Sequence, residues 1–131
     1  MSDKMSEVTN ALNFFEIPVI DVKRAAEFYE TILDIKMFPM EMPGMSMVMF
    51  PPKGENGNVG GALAKSEMHA PSETGTIVYL NANPDLQAVL DRVVPAGGKI
   101  IKPKTLIAEE YGYLAFIGDS EGNIVGLHST K

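Results

Sequence analysis

The residues able to do chemistry in this chain are few. There is no cysteine, so thiol chemistry and disulfides are excluded, and proton transfer or metal ligation falls to two histidines and the 17 Asp and Glu carboxylates. His69 lies in the polar connector Lys65–Gly75 and reads as a solvated loop residue. His128 closes the last apolar segment, and Glu16 interrupts an alternating apolar one. Glu109 and Glu110, before Tyr111-Gly112-Tyr113, can bring carboxylates and a phenol to the rim of a site; a turn with solvated charges is the simpler reading. Six of the nine methionines fall in Met37–Met49, where flexible thioethers can line an adaptable apolar pocket or simply fill core. Gly60-Gly61 lacks the Gly-x-x-x-x-Gly-Lys surroundings of a phosphate loop and sits in a strand-like segment, where two glycines let a ligand or a neighbouring backbone come close.

These residues need a scaffold, and the stretch Phe14–Leu33 supplies the clearest part of it. Phe15, Ile17 and Val19 alternate with Phe14, Glu16 and Pro18, the two-residue period of a strand. The period then changes: Val22, Ala25, Ala26, Tyr29, Ile32 and Leu33 mark one face of a helix, with Asp21 as its N-cap. Strands are expected at Ile35–Met40, Ser46–Phe50 and Asn58–Ala64, with a loop at Pro51–Gly57. The second half repeats the order, with a strand at Thr76–Leu80, a helix at Pro84–Ala96 stopped by Gly97-Gly98, and strands at Lys99–Ile107, Tyr111–Ile117 and Asn123–His128. A shift of 62 residues lays Phe14 on Thr76 and Asp21 on Asn83, and a shift of 65 lays Gly57–Gly61 on Gly122–Gly126. An order of strand, helix and three strands occurring twice indicates duplication.

A chain of 131 residues, 45% apolar, can bury one core. The expected organisation is a disordered polar tail over residues 1–10 and a single domain over 11–130, with modules at about 11–66 and 75–130. No run approaches a membrane span, and a net charge of −6 without a basic run argues against nucleic acid. With no apolar leader segment at the start, the cytoplasm is the expected compartment.

Val19-Ile20-Asp21, Arg24-Ala25 and Phe28-Tyr29 after the first strand, with Asp119-Ser120-Glu121-Gly122-Asn123 before the last, give the chain a resemblance to the vicinal oxygen chelate superfamily. That superfamily includes glyoxalase I, extradiol dioxygenases and bleomycin resistance proteins, and the chain is most similar to its small bacterial glyoxalase-related branch. The resemblance implies an α+β fold in which two βαβββ modules form curled mixed sheets around a cleft, often completed by homodimerisation. Metal-dependent members draw His, Glu or Gln ligands from the first and fourth strands of each module, leaving positions open for a substrate's adjacent oxygens.

Carried over, the ligand positions fall on Phe14, Gly61, Thr76 and Gly126, none a normal donor, so the resemblance implies neither metal nor other cofactor here. Two residues along the same strands, Glu16 and His128 are expected to face the cleft and form an acid/base pair, or else a polar contact at its floor. The expected cleft lining is Phe14, Gly61, Thr76, Gly126, Met47 and Tyr113, and the expected partner is a small, partly apolar molecule. Sequestration or simple proton transfer is the leading activity. A metal-dependent lyase, isomerase or dioxygenase, and an accessory interaction module without small-molecule chemistry, are the rivals.

Overall fold

The computed structural model describes residues 4–51 and 57–131. Its elements run β1 Phe14–Pro18, α1 Val22–Leu33, β2 Phe38–Met42, β3 Met45–Met49, β4 Gly60–Lys65, β5 Tyr79–Asn81, α2 Leu86–Val93, β6 Lys99–Ala108, β7 Gly112–Gly118 and β8 Ile124–Ser129. This is the βαβββ order twice. Each module makes a mixed four-stranded sheet, ordered β1-β4-β3-β2 (sheet A) and β5-β8-β7-β6 (sheet B). The first strand of each module pairs in parallel with the fourth, the other neighbours are antiparallel, and both sheets stay open.

Local chemistry explains the boundaries. Asp21 caps α1 by accepting from the Arg24 N–H at 3.0 Å, and Asp34 ends it in the left-handed conformation at φ 54°. The chain then doubles back, the Met37 N–H donating to the Glu30 carboxylate and its side chain burying, so β2 starts at Phe38, three residues later than the periodicity suggests. Asp85 caps α2 by accepting from the Gln87 N–H, so the helix starts at Leu86, two residues later than expected. β6 runs through Pro103 unbroken but with register shifts, tolerable because it is an edge strand. The expected Pro51–Gly57 loop lies largely outside the described residues, as does the start of the expected tail; within residues 4–10, Ser6 and Thr9 close a turn by mutual hydrogen bonds.

One core spans both modules. Ile17, Val19, Phe28, Tyr29, Ile32 and Leu63 meet Leu86, Leu90, Val93, Ile117 and Leu127, and α1 packs against α2. Each sheet therefore turns one face to the helices and leaves the other open.

The motif residues stitch the modules together. Glu121, its side chain fully buried, accepts from the N–H groups of Ile20 and Asp21 at 2.9 Å each, and takes Arg24 in a two-pronged bond, Nε at 2.7 Å and Nη2 at 2.9 Å. Desolvation pushes the Glu121 pKa up, but Arg24, the two backbone donors and the Ser120 hydroxyl outweigh it, bringing the carboxyl from 4.5 down to about 2. Tyr29 donates its hydroxyl to Asp119 at 2.6 Å, and burial followed by the nearby carboxylate holds its pKa well above the usual range. Asn123 donates to the Pro18 carbonyl at 2.8 Å. The turn before β8 thus closes over the β1–α1 junction, some 100 residues away in the chain.

Candidate functional site

In sheet A, strand alternation separates two sets of side chains. Phe15, Ile17, Leu63 and Val48 point to α1, while Phe14 and Glu16 share the open face with Ala62 and Ala64 of β4 through the register Glu16↔Ala62 and Pro18↔Ala64. Met47↔Ala64 and Met49↔Ala62 extend that face across β3, and Met40↔Met47 and Met42↔Met45 extend it across β2. The result is a floor of five methionines with two alanines beneath Met47, which itself buries. Phe14 at one side remains 41% exposed.

The same register corrects part of the expected cleft. Gly61 pairs with Phe15, not Phe14, so it lies on the α1 side, where a Cβ would run into the Phe15 ring; it cannot line the open face. Thr76 precedes β5 and belongs to no strand. Tyr113 pairs with the buried Ser129 on the helix side of sheet B, beneath the Lys104 ammonium at 4.5 Å, and so is not a cleft residue either. Gly126 does lie on the open face, but the Tyr79 ring folds over it and against Phe116, at a centroid distance of 5.7 Å.

The errors at Gly61 and Thr76 share one cause. Ile17 pairs with Leu63 and Leu80 with Leu127, so the modules superpose with a spacing of 63 residues in the first strand (17 to 80) and 64 in the fourth (63 to 127), not 62 and 65. The counterpart of Phe14 is therefore Ile77, and that of Gly126 is Ala62. Odd-numbered errors exchange the two faces of a strand.

Glu16 and His128 do not pair. His128 donates from Nε2 to the Tyr111 carbonyl at 2.6 Å, on sheet B. Glu16 instead bonds His69 Nε2 at 2.8 Å, and the other ring nitrogen of His69 meets the Ser66 hydroxyl at 2.6 Å. The connector histidine read as solvated is only 13% exposed in its side chain. Sequence reasoning missed it because the Ser66-x-x-His69 turn carries no distinctive motif, and Glu16 lies 53 residues away.

A cavity of about 440 Å³ opens beside this group, lined by Gly44, Met45, Ser46, Lys65, Ser66 and Glu67. A larger groove of about 890 Å³ runs along α1 on the helix side of sheet A, with Lys23, Glu27, Glu30 and Glu41 in its walls. Its walls mix acidic and basic groups, and Arg24 among them is committed to Glu121, whereas the smaller cavity adjoins the Glu16–His69–Ser66 group, which makes the open face and its end cavity the better candidate.

The carried-over ligand positions do not suit the metal of the metal-dependent members. Phe14, Ala62 and Gly126 on the open faces, and Ile77 just before β5, carry no donor atom in their side chains, and among the described residues no three His, Asp or Glu side chains gather closely enough to hold an ion.

Residues 11–127 match the model of the Glyoxalase/Bleomycin resistance protein/Dioxygenase superfamily. The chain belongs to that superfamily. CFP32 of Mycobacterium bovis, provisionally named a glyoxylase, is 31% identical over 117 residues, covering 88% of this chain and 44% of that protein. The chain therefore spans less than half the length of the curated relatives it matches. Among solved structures, a glyoxalase/bleomycin resistance protein from Albidiferax ferrireducens T118 is similar at 16% identity and a TM-score of 0.63, covering 92% of this chain and 98% of that one. TnmS3, an antibiotic binding protein from Streptomyces sp. CB03234, gives 20% identity and 0.64 over 96% of this chain and 100% of its own. The E144Q mutant of glyoxalase I from Zea mays gives 20% and 0.66 over 92% of this chain and 45% of its own. At such identities these structures speak for the fold alone.

Proposed function

We propose that this superfamily member binds a small, partly apolar molecule on the open face of sheet A without a metal, as a cytoplasmic homodimer. The observation that carries the reading is the methionine and alanine floor of β2, β3 and β4, flanked by the exposed Phe14 ring and bordered by Glu16. Thioethers reshape around an irregular apolar ligand, and the single carboxylate–imidazole pair at the border can orient its polar end. TnmS3, a binding protein of the same fold, lends the reading support. Exposed aromatic and methionine side chains on both open faces, Phe14 and Met42 on one and Tyr79 on the other, favour a second copy as cover.

The test is a thermal-shift screen of aromatic and heteroaromatic metabolites and antibiotics on protein purified without chelator. A binder raises the melting temperature in proportion to its occupancy. Met40→Lys and Met42→Lys, both at exposed positions, should abolish the shift while leaving the unliganded melting temperature within a few degrees. Stoichiometric Zn, Ni, Mn or Fe in the purified protein, or turnover of hemithioacetals that a chelator abolishes, would overturn metal independence.

A further inference from the structure

The Ser66, His69 and Glu16 side chains form a continuous hydrogen-bonded chain. Its direction follows from donor chemistry. An ionised carboxylate only accepts, so His69 Nε2 carries a proton toward Glu16; in the neutral ring Nδ1 is then an acceptor, and the Ser66 hydroxyl donates to it. Ser66 Oγ also accepts the Met68 N–H at 3.1 Å, and the Ser66 carbonyl accepts the His69 N–H at 3.2 Å. Three bonds within one turn thus set the distance between hydroxyl and imidazole.

A turn of this kind would hold together without Glu16. The carboxylate comes from β1, is 35% exposed, and bonds the far nitrogen of the ring. As a stabilising contact it contributes little at such exposure. Its distinct effect is to select the tautomer and orientation of the imidazole, which is the part a third group plays behind a nucleophile and its base. The ring nitrogens are exchanged relative to the serine-protease arrangement, with the hydroxyl on Nδ1 and the carboxylate on Nε2, but the order of roles is preserved. Ser66 lines the 440 Å³ cavity together with Lys65, Glu67 and Met45, the last an apolar seat.

We infer that Ser66 is a nucleophile, His69 its general base and Glu16 the positioning residue of a site that hydrolyses small esters or thioesters. Ser66 Oγ bonds to the acyl carbon as its proton passes to His69 Nδ1. The carbon–oxygen or carbon–sulfur bond to the leaving group then breaks, and the departing alcohol or thiol takes that proton. Water repeats the sequence on the acyl-serine, giving a proton to His69 that returns to Ser66 Oγ as the carboxylic acid leaves. No metal, oxidant or second substrate besides water enters the balance. This goes beyond the binding reading and does not depend on what the methionine floor holds.

The experiment treats the full chain with a small alkyl fluorophosphonate and, separately, p-nitrophenyl acetate, following intact mass, peptide maps and released nitrophenolate. The expected result is a single adduct on Ser66 and an initial burst of nitrophenolate. Ser66→Ala removes both, His69→Gln slows the adduct about 10²-fold or more, and Glu16→Gln slows it by a smaller factor, with the melting temperature of each variant close to that of the parent. Ser72→Ala, whose hydroxyl lies elsewhere against Thr74, keeps the parent rate. Absence of an adduct at Ser66, or an equal rate in His69→Gln, overturns the assignment. Because the readout is covalent, a failure here leaves the thermal-shift result for the methionine floor unaffected.

Discussion

Replacing Glu121 with glutamine removes one charge and little volume from the junction between the two modules. In the folded chain the carboxyl titrates at about 2 against 4.5 for a free one. At about 1.4 kcal/mol for each tenfold change in proton affinity, the difference comes to about 3 kcal/mol. Arg24 is 53% exposed, so its share is screened by solvent, and about 2 kcal/mol is the working figure. The sign is that of a depressed carboxylate. The stabilisation is complete above the unfolded pKa near 4.5 and is lost as pH falls through the folded value near 2. Glu121→Gln should therefore unfold at lower urea at pH 7, by about 2 kcal/mol on extrapolation, with an unchanged slope against denaturant. Between pH 5 and 2 the parent should lose stability faster than the variant, so the two curves converge. Urea titrations followed by far-UV circular dichroism across that range decide the matter. Curves that stay parallel, with the same gap at pH 2.5 as at pH 7, would refute the claim that the Glu121 charge, held by Arg24 and the Ile20 and Asp21 N–H groups, locks the modules together.

Other outcomes follow from the same contacts. Tyr29→Phe should cost about 1–3 kcal/mol in urea unfolding, because Asp119 loses its buried hydroxyl donor, although Glu121 N–H, Asn123 N–H and the Asn123 amide still reach it. The raised pKa makes Tyr29 ionise only on unfolding, so its stabilising contribution is kept below the unfolded pKa near 10 and lost at higher pH; absorbance at 295 nm should show one tyrosine appearing with the unfolding transition. Gly61→Ala should destabilise by about 1–3 kcal/mol, since its methyl meets the Phe15 ring, which packs against Phe50 and the core. Gly126→Ala should cost less, because the ring it displaces, Tyr79, is 48% exposed and free to swing outward; equal losses by thermal melt would contradict this. Dialysis against EDTA should leave the melting temperature unchanged, and a fall of more than a degree or two would indicate an ion the floor residues do not account for.

The sequence by itself determined what depends on near neighbours. Alternation in Phe14–Pro18, the helical spacing of Ala25, Phe28, Tyr29 and Ile32, and the Asp21 cap all reappear in the structure because burial of one face and satisfaction of the first-turn N–H groups are local demands. The twofold βαβββ order was legible for the same reason, and so was the family. Which residues share a face across strands was not, since the pairing of β1 with β4 and β5 with β8 depends on loop lengths that carry no periodicity. An error of one residue in the superposition placed Gly61 on the wrong side of its sheet. Contacts between distant segments lay further out of reach. Glu121 under the β1–α1 junction, and Glu16 against His69 and Ser66, exist because two open sheets share one core and a connector crosses back over β1. In each case the chemistry of the side chain could be read from the chain, but its partner was chosen by packing.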